Sequence, residues 1–308
     1  MLWFWLSLIH PLFFSFSNVV DQVLVRKYFA ASIPGYFILV GLAVPPMMLV
    51  FFGLYPSVLD VTWQNALFLN MIGILYIGFV YPYCHAIKND DATVVVPIFH
   101  LAPVFVYIIG LLTLGETLSS LRLTGGALIV FASVLIVWDF EMKRFRWKTL
   151  ALMIISTFIY AVMNITLRLA GEFEWYVTIF WMMPAWIEAM LIFTVLRPGA
   201  FKEVISSIKT TRGMPYFLML FAGTTDTIAI ASMAAAIAIA PATALVSVVG
   251  GTQPLMLIVT SGLAAFIWPD LIQKIKLGKA FVLKITCCVL ILLGLFLILS
   301  EEADFTFG

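Results

Sequence analysis

Apolar residues fall in ten long stretches separated by short polar connections: Leu2–Val20, Ile33–Leu54, Ala66–Tyr83, Ala92–Leu114, Leu123–Val137, Leu150–Leu169, Tyr176–Leu196, Tyr216–Ala240, Ala242–Trp268 and Phe281–Leu299. A helix crosses a bilayer in about 20 apolar residues, so the pattern predicts ten transmembrane helices. The fifth stretch is short, but Gly125-Gly126 and Trp138 extend it to the interface, and the ninth is long enough to tilt or to kink at Pro254. In the fourth, Pro97 and Pro103 deprive the carbonyls of Thr93 and Phe99 of their helical donors. Within lipid such groups are tolerated only against protein or a water-filled cavity, so this helix is expected to be buried and to line something. Pro97, Pro103 and Pro254 are the expected bending points.

The polar residues repeat across the chain. Asp91-Ala92-Thr93 leads into a Val-rich helix, and Pro241-Ala242-Thr243 does the same in the second half. In the first and sixth spans, Ser15, Asn18, Gln22 and Arg26 correspond to Thr157, Tyr160, Asn164 and Arg168; in the third and eighth, Tyr76 and Tyr83 correspond to Asp226 and Met233. Two copies of a five-helix unit account for this, with boundaries at 1–139, a basic linker at 140–148, 149–300 for the second copy, and an acidic tail at 301–308.

Composition fits: the chain of 308 residues is 63% hydrophobic and 11% charged, against about a quarter charged in a soluble domain. The net charge of +1 gives nucleic-acid binding no support. Cys84, Cys287 and Cys288 make neither a disulfide framework nor a metal spacing. With no Lys or Arg before Arg26, the first span reads as retained rather than cleaved. All lysines and arginines except Arg122 and Arg168 follow odd-numbered spans. Those loops are therefore expected on the cytoplasmic side and both termini outside, in a multi-pass protein of the cell (inner) membrane. Five spans per copy make the copies inverted, the plan of many carriers with a site between halves at the midplane.

The fourth stretch carries a recognisable combination: Ala92, Pro97, Leu101-Ala102-Pro103-Val104, then Leu114-Gly115-Glu116 and Gly126. It resembles the repeat of EamA-type transporters of the drug/metabolite transporter superfamily. The second copy departs from it, with Phe266-Ile267-Trp268-Pro269-Asp270 in place of Leu-Gly-Glu. The resemblance implies an all-α membrane protein of ten transmembrane helices in two inverted five-helix repeats, working by alternating access and using no cofactor.

Ionised groups are costly inside a membrane and mark function. Asp226 lies about 15 Å into its span at 1.5 Å per residue, which makes it a substrate or proton site, or else a hydrogen-bonded structural carboxyl. Glu188 is equally deep and shares a helical face with Trp181 and Pro184; an aromatic face beside a carboxylate suits an organic cation. Tyr76 and Tyr83 oppose Asp226 in the repeat. Asn18 and Gln22 in the first span, with Asn164 in the sixth, make matching polar faces, and Gln253 sits at the second copy's kink. These nine residues, Asp226, Glu188, Trp181, Tyr76, Tyr83, Asn18, Gln22, Asn164 and Gln253, are the expected substrate contacts. Asp226, Glu188 and His100 are the expected proton carriers. Asp21 is equally readable as a tie to Arg26, and Arg168 as a partner of Glu172. The alanine-rich run Ala234–Ala244 reads as packing between the eighth and ninth spans.

Acidic groups in mid-span with no Lys or Arg there favour a cation, a zwitterion held by its amine, or a proton. The expected partners are thus a small-molecule substrate, protons and the lipid bilayer, with no nucleic acid and no metal. The function read from the residues is secondary transport of an amino acid or small amine; export of drug-like organic cations is the alternative, and a membrane enzyme or a non-transporting scaffold belongs to other classes. There is no P-loop for ATP-driven transport.

Overall fold

The structure, a computed structural model, describes residues 2–29, 32–90, 95–115, 119–135, 138–139, 144–145, 147–267 and 279–304. Ala92, Thr93, Glu116, most of the 140–148 linker and the segment 268–278 lie outside the described residues, as do the side chains of Pro97, His100 and Pro254. The helices, in order, are α1 (Leu2–Val23), α2 (Ile33–Leu54), α3 (Trp63–Asn89), α4 (Ala102–Leu114), α5 (Ser120–Leu135), α6 (Trp147–Leu169), α7 (Trp175–Met182), α8 (Pro184–Leu196), α9 (Pro198–Thr210), α10 (Met214–Ile239), α11 (Thr243–Val249), α12 (Gln253–Ile267) and α13 (Lys279–Asp304). Two short strands, β1 (Trp138–Asp139) and β2 (Arg144–Phe145), pair antiparallel where a plain linker was expected.

Six helices or continuous helical runs are long and apolar enough to cross a bilayer: Leu2–Tyr28, Ile33–Leu54, Trp63–Asn89, Trp147–Leu169, Trp175–Leu196 and Met214–Ile239. A seventh is a broken pair, Thr243–Thr252 and Met256–Phe266, bent by 41°. Three shorter apolar helices, Ala102–Leu114, Leu123–Ala132 and Ile285–Gly294, fall on the expected fourth, fifth and tenth spans. The molecule is an integral, multi-pass membrane protein. Its chain is helical because hydrocarbon offers no partner to a backbone N–H or C=O, so each span has to satisfy its own.

The fourth span differs from the single kinked helix expected. Val96–Leu101 is a 3-10 turn, and α4 begins only at Ala102, which puts Pro103 in its first turn. There a missing N–H costs nothing. The Phe99 carbonyl, expected to lack a donor, accepts from the Ala102 N–H. In the ninth span the break is the 3-10 turn Gly250–Thr252. Helix α9, in a stretch expected to be a loop, buries Ala200 and Val204 and exposes Lys202 and Lys209. Helix α13 runs four residues into the expected tail.

The packing exchanges helices between the halves. Helix α1 packs chiefly on α10 and α3 on α6; α1 also meets α12, and α4 meets α6; α2 lies along α8 and α5 along α13. The alanine-rich end of α10 comes close to the end of α6, where a Cβ on Gly171 would stand 3.6 Å from Ala238. Close approach is set by small residues: a Cβ on Gly73 would stand 2.2 Å from the Met182 carbonyl oxygen, and one on Gly294 2.5 Å from the Gly125 carbonyl oxygen.

Hydrogen bonds follow the same correspondence. The Arg26 Nε donates to the Ile87 carbonyl at 3.1 Å, joining the end of the first span to the end of α3. Arg168 at the end of α6 donates to the Ile237 carbonyl and to that of Ala240 at 3.0 Å, at the end of α10. Ile237 follows Asp226 at the same eleven-residue distance at which Ile87 follows Tyr76. Likewise Tyr83 donates to Asn18 Oδ1 at 2.9 Å, and the Tyr160 hydroxyl meets the Met233 sulfur at 3.0 Å. Arg168, weighed as a partner for Glu172, instead caps α10. The last carbonyls of a helix have no donor of their own, and a cation there also opposes the helix dipole. Replacing Arg168 by Met is expected to cost about 1.5–3 kcal/mol, the size of hydrogen bonds to a charged group, seen as a lower unfolding temperature in detergent; an unchanged temperature would show the cap to be idle.

Candidate functional site

The central cavity, about 120 Å³, lies where the two halves meet. Its walls come from α1, α2, α3, the 3-10 turn before α4, α4 itself, α6, α7, α8, α10, α11, the Gly250–Thr252 turn and α12. One face of α1 supplies His10, Phe14, Ser17, Asn18 and Asp21, which recur at helical spacing. Beside it α10 supplies Met219, Ala222, Gly223, Asp226, Thr227 and Ile230.

Asp226 is part of the cavity lining. The Tyr76 hydroxyl donates to its Oδ2 at 3.1 Å, and the Ser17 hydroxyl lies beside it. The bond joins α3, before the basic linker, to α10, after it. One turn further along α1, Asp21 accepts from the Tyr36 hydroxyl at 2.7 Å and is 6% exposed. Both carboxyls face the same space, and the lining holds no lysine or arginine. Asn18 is 7% exposed; its Oδ1 accepts from Tyr83, and its Nδ2, also buried, has no hydrogen-bond partner. A buried amide donor left unpaired costs about 1–3 kcal/mol, so a site that keeps one is open to an acceptor from outside the protein.

The rest of the lining is aromatic and sulfur-rich. Phe79 meets Tyr160 edge-on with centroids 5.2 Å apart and Phe99 at 6.0 Å; Tyr76 meets Trp186 at 5.6 Å. Met47, Met182, Met183 and Met219 complete the wall. Such a surface binds apolar bodies and, by its ring faces, cations.

Of the nine expected substrate residues, the cavity gathers Asp226, Tyr76, Tyr83, Asn18 and Gln253. Glu188, Trp181, Gln22 and Asn164 do not line it. The Glu188 Oε1 accepts from Asn70 Nδ2 at 2.8 Å, and Trp181 Nε1 donates to the Val58 carbonyl at 2.7 Å. The seventh span breaks at Met183, and its cavity face runs through Ile179, Met182 and Trp186 rather than Trp181 and Glu188. Gln22 is buried beside the cavity, and Asn164 donates to Ser247, which does line it, at 3.1 Å. Of the proton carriers, Asp226 lies in the cavity, Glu188 outside it, and the His100 side chain outside the described residues. Pro103 stands at a helix start. The cavity also takes in Asp21, His10, Tyr160 and Trp186, which the sequence left outside the expected substrate set, and Tyr36, which carries no local signal and depends on tertiary packing alone. Among the described residues no three His, Cys, Asp or Glu come together to hold a metal.

A multi-pass bundle around a central polar cavity is the plan of a membrane transporter of small molecules. Residues 1–138 match the model of the EamA-like transporter family, consistent with a membrane protein of the drug/metabolite transporter superfamily. No curated protein matches the chain. A solved crystal structure of a protein is similar to 96% of this chain over 98% of its own length, with a TM-score of 0.56 and 12% identity. That likeness concerns the fold alone.

Placing cysteines tests the lining. With Cys84, Cys287 and Cys288 replaced by Ala, Asp226→Cys is expected to react with a small water-soluble thiol reagent faster than Glu188→Cys. The reverse order would place Glu188, and not Asp226, in the water-filled space.

Proposed function

We propose that the protein is a secondary carrier of an amino acid or other small amine, working by alternating access and coupled to protons. The observation that carries this is the pair formed by Asp226 and the unpartnered Asn18 amide in a cavity without a lysine or arginine. A carboxylate pairs an ammonium group, and an amide N–H within the same turn of α1 as Ser17 pairs a carboxylate oxygen. These two readers suit the two ends of an amino-acid head group. The aromatic and methionine wall suits an apolar side chain. That same wall favours the second reading, an exporter of larger organic cations, in which only Asp226 and the rings take part.

The exchange of helices between halves supports two inverted five-helix repeats, 1–139 and 149–300, joined by the basic linker. In this reading the broken fourth and ninth spans bend as the halves rock, as discontinuous helices do around carrier sites. The end of the bundle bearing Arg26 and Lys88 faces the cytoplasm, in the cell membrane.

Purified protein in liposomes tests this. Saturable counterflow of an amino acid is expected, and Asp226→Asn is expected to weaken it about thirtyfold or more, the loss of a buried ion pair at 2 kcal/mol or above. Asn18→Ala is expected to weaken amino acids but not amines that lack a carboxylate. Uptake of quaternary ammonium compounds with no uptake of amino acids would favour the second reading, and no saturable uptake of either would sink both.

A further inference from the structure

We infer that Asp21, not Asp226, binds the coupling proton, and that its bond to Tyr36 is the contact by which that proton opens the basic end of the cavity. This inference rests on the proposed transport of an amine.

The two carboxyls share one cavity but not one situation. Asp226 is only partly buried, whereas Asp21 is 6% exposed and lies about one helical turn nearer the end that carries Arg26 and Lys27. Four residues at 1.5 Å separate Asp21 from Ser17, so it stands about 6 Å along α1 from the amine position. An ammonium group paired to Asp226 beside Ser17 thus sits about one turn of α1 from the Asp21–Tyr36 bond. Asp21 still needs compensation, since an ionised carboxylate in a low-dielectric interior is costly alone. The groups that face it are the Tyr36 hydroxyl of α2, Tyr83 and Cys84 of α3, and Asp226 of α10. Each is neutral or acidic. A proton is the counter-charge that fits the space.

The bond gives that proton a mechanical consequence. Tyr36 belongs to the first turn of α2, and its hydroxyl donates to Asp21 at 2.7 Å across the gap to α1. A hydrogen bond to a carboxylate is roughly twice as strong as one between neutral groups. With Asp21 ionised, Tyr36 holds α2 against α1 and that end stays closed. When Asp21 takes up a proton, it becomes a carboxylic acid, the charge assistance is gone, and the end is free to part. Release of the proton restores the carboxylate and the closed end. Amine and proton are therefore read by different carboxyls, and the two events separate by mutation.

Liposomes test this with two readouts on the same protein, tracer counterflow of an amino acid at equal pH on both sides and its accumulation driven by a pH gradient. Asp21→Asn is expected to lose accumulation while keeping counterflow, and Asp226→Asn is expected to lose both. Tyr36→Phe, which keeps the ring but has no hydroxyl to donate, is expected to lose accumulation while keeping counterflow, as Asp21→Asn does. The unfolding transition of each purified variant shows that it is folded, and stabilisation of Asp21→Asn and Tyr36→Phe by the amino acid shows that they still bind it. Gradient-driven accumulation by Asp21→Asn equal to wild type would overturn the inference while leaving the transport reading intact. Gradient-driven accumulation by Tyr36→Phe equal to wild type would overturn the latch. A wild type without saturable counterflow would instead remove the reading on which the inference stands.

Discussion

A carboxyl group in the middle of a bilayer has to be met by a donor, a cation or a proton, and the architecture here is arranged around meeting one. Asp226 lies on α10 and its donor, Tyr76, on α3. Those helices pack most heavily on the first helix of the opposite half, α1 and α6. The bond therefore forms only when both halves are assembled. The meeting place is chemically uneven: α3 presents a phenol and α10 an acid. An otherwise paired scaffold thereby acquires a directed site.

The same unevenness runs through the surrounding pairs. Asn18 with Tyr83 and Tyr160 with Met233 are equivalent contacts, yet the first leaves a buried amide donor unmatched and the second does not. Arg26 and Arg168 fasten the ends of α3 and α10 in equivalent fashion.

Much of this was legible in the chain because hydrocarbon leaves so few choices. A run such as Met214–Ile239 has to be a helix, and Asp226 within it has to be accounted for. Asn18, Tyr76 and Tyr83 were readable because the second copy shows which positions correspond to them. Glu188 was grouped with the cavity because depth can be counted from sequence, but orientation at a broken helix cannot: the chain restarts at Pro184, and the glutamate turns to Asn70. Asp21 was obscured by Arg26, a nearer and simpler partner along the chain, and Tyr36 carries no local signal at all. Helix α9 was missed since its apolar positions are few and serve only to seat it on α2 and α8.

The central claim is that Tyr76 and Asp226 face one another across the junction of two equivalent halves and that the acid between them holds the substrate's amine. Exchanging the two side chains tests it most directly, through saturable uptake by Asp226→Tyr alone and by the double variant Tyr76→Asp/Asp226→Tyr. The account predicts that the single variant is inactive and that the exchange restores uptake, since the carboxyl and the phenol have only traded sides of one site. A double variant as inactive as the single one, though equally well folded, would contradict it.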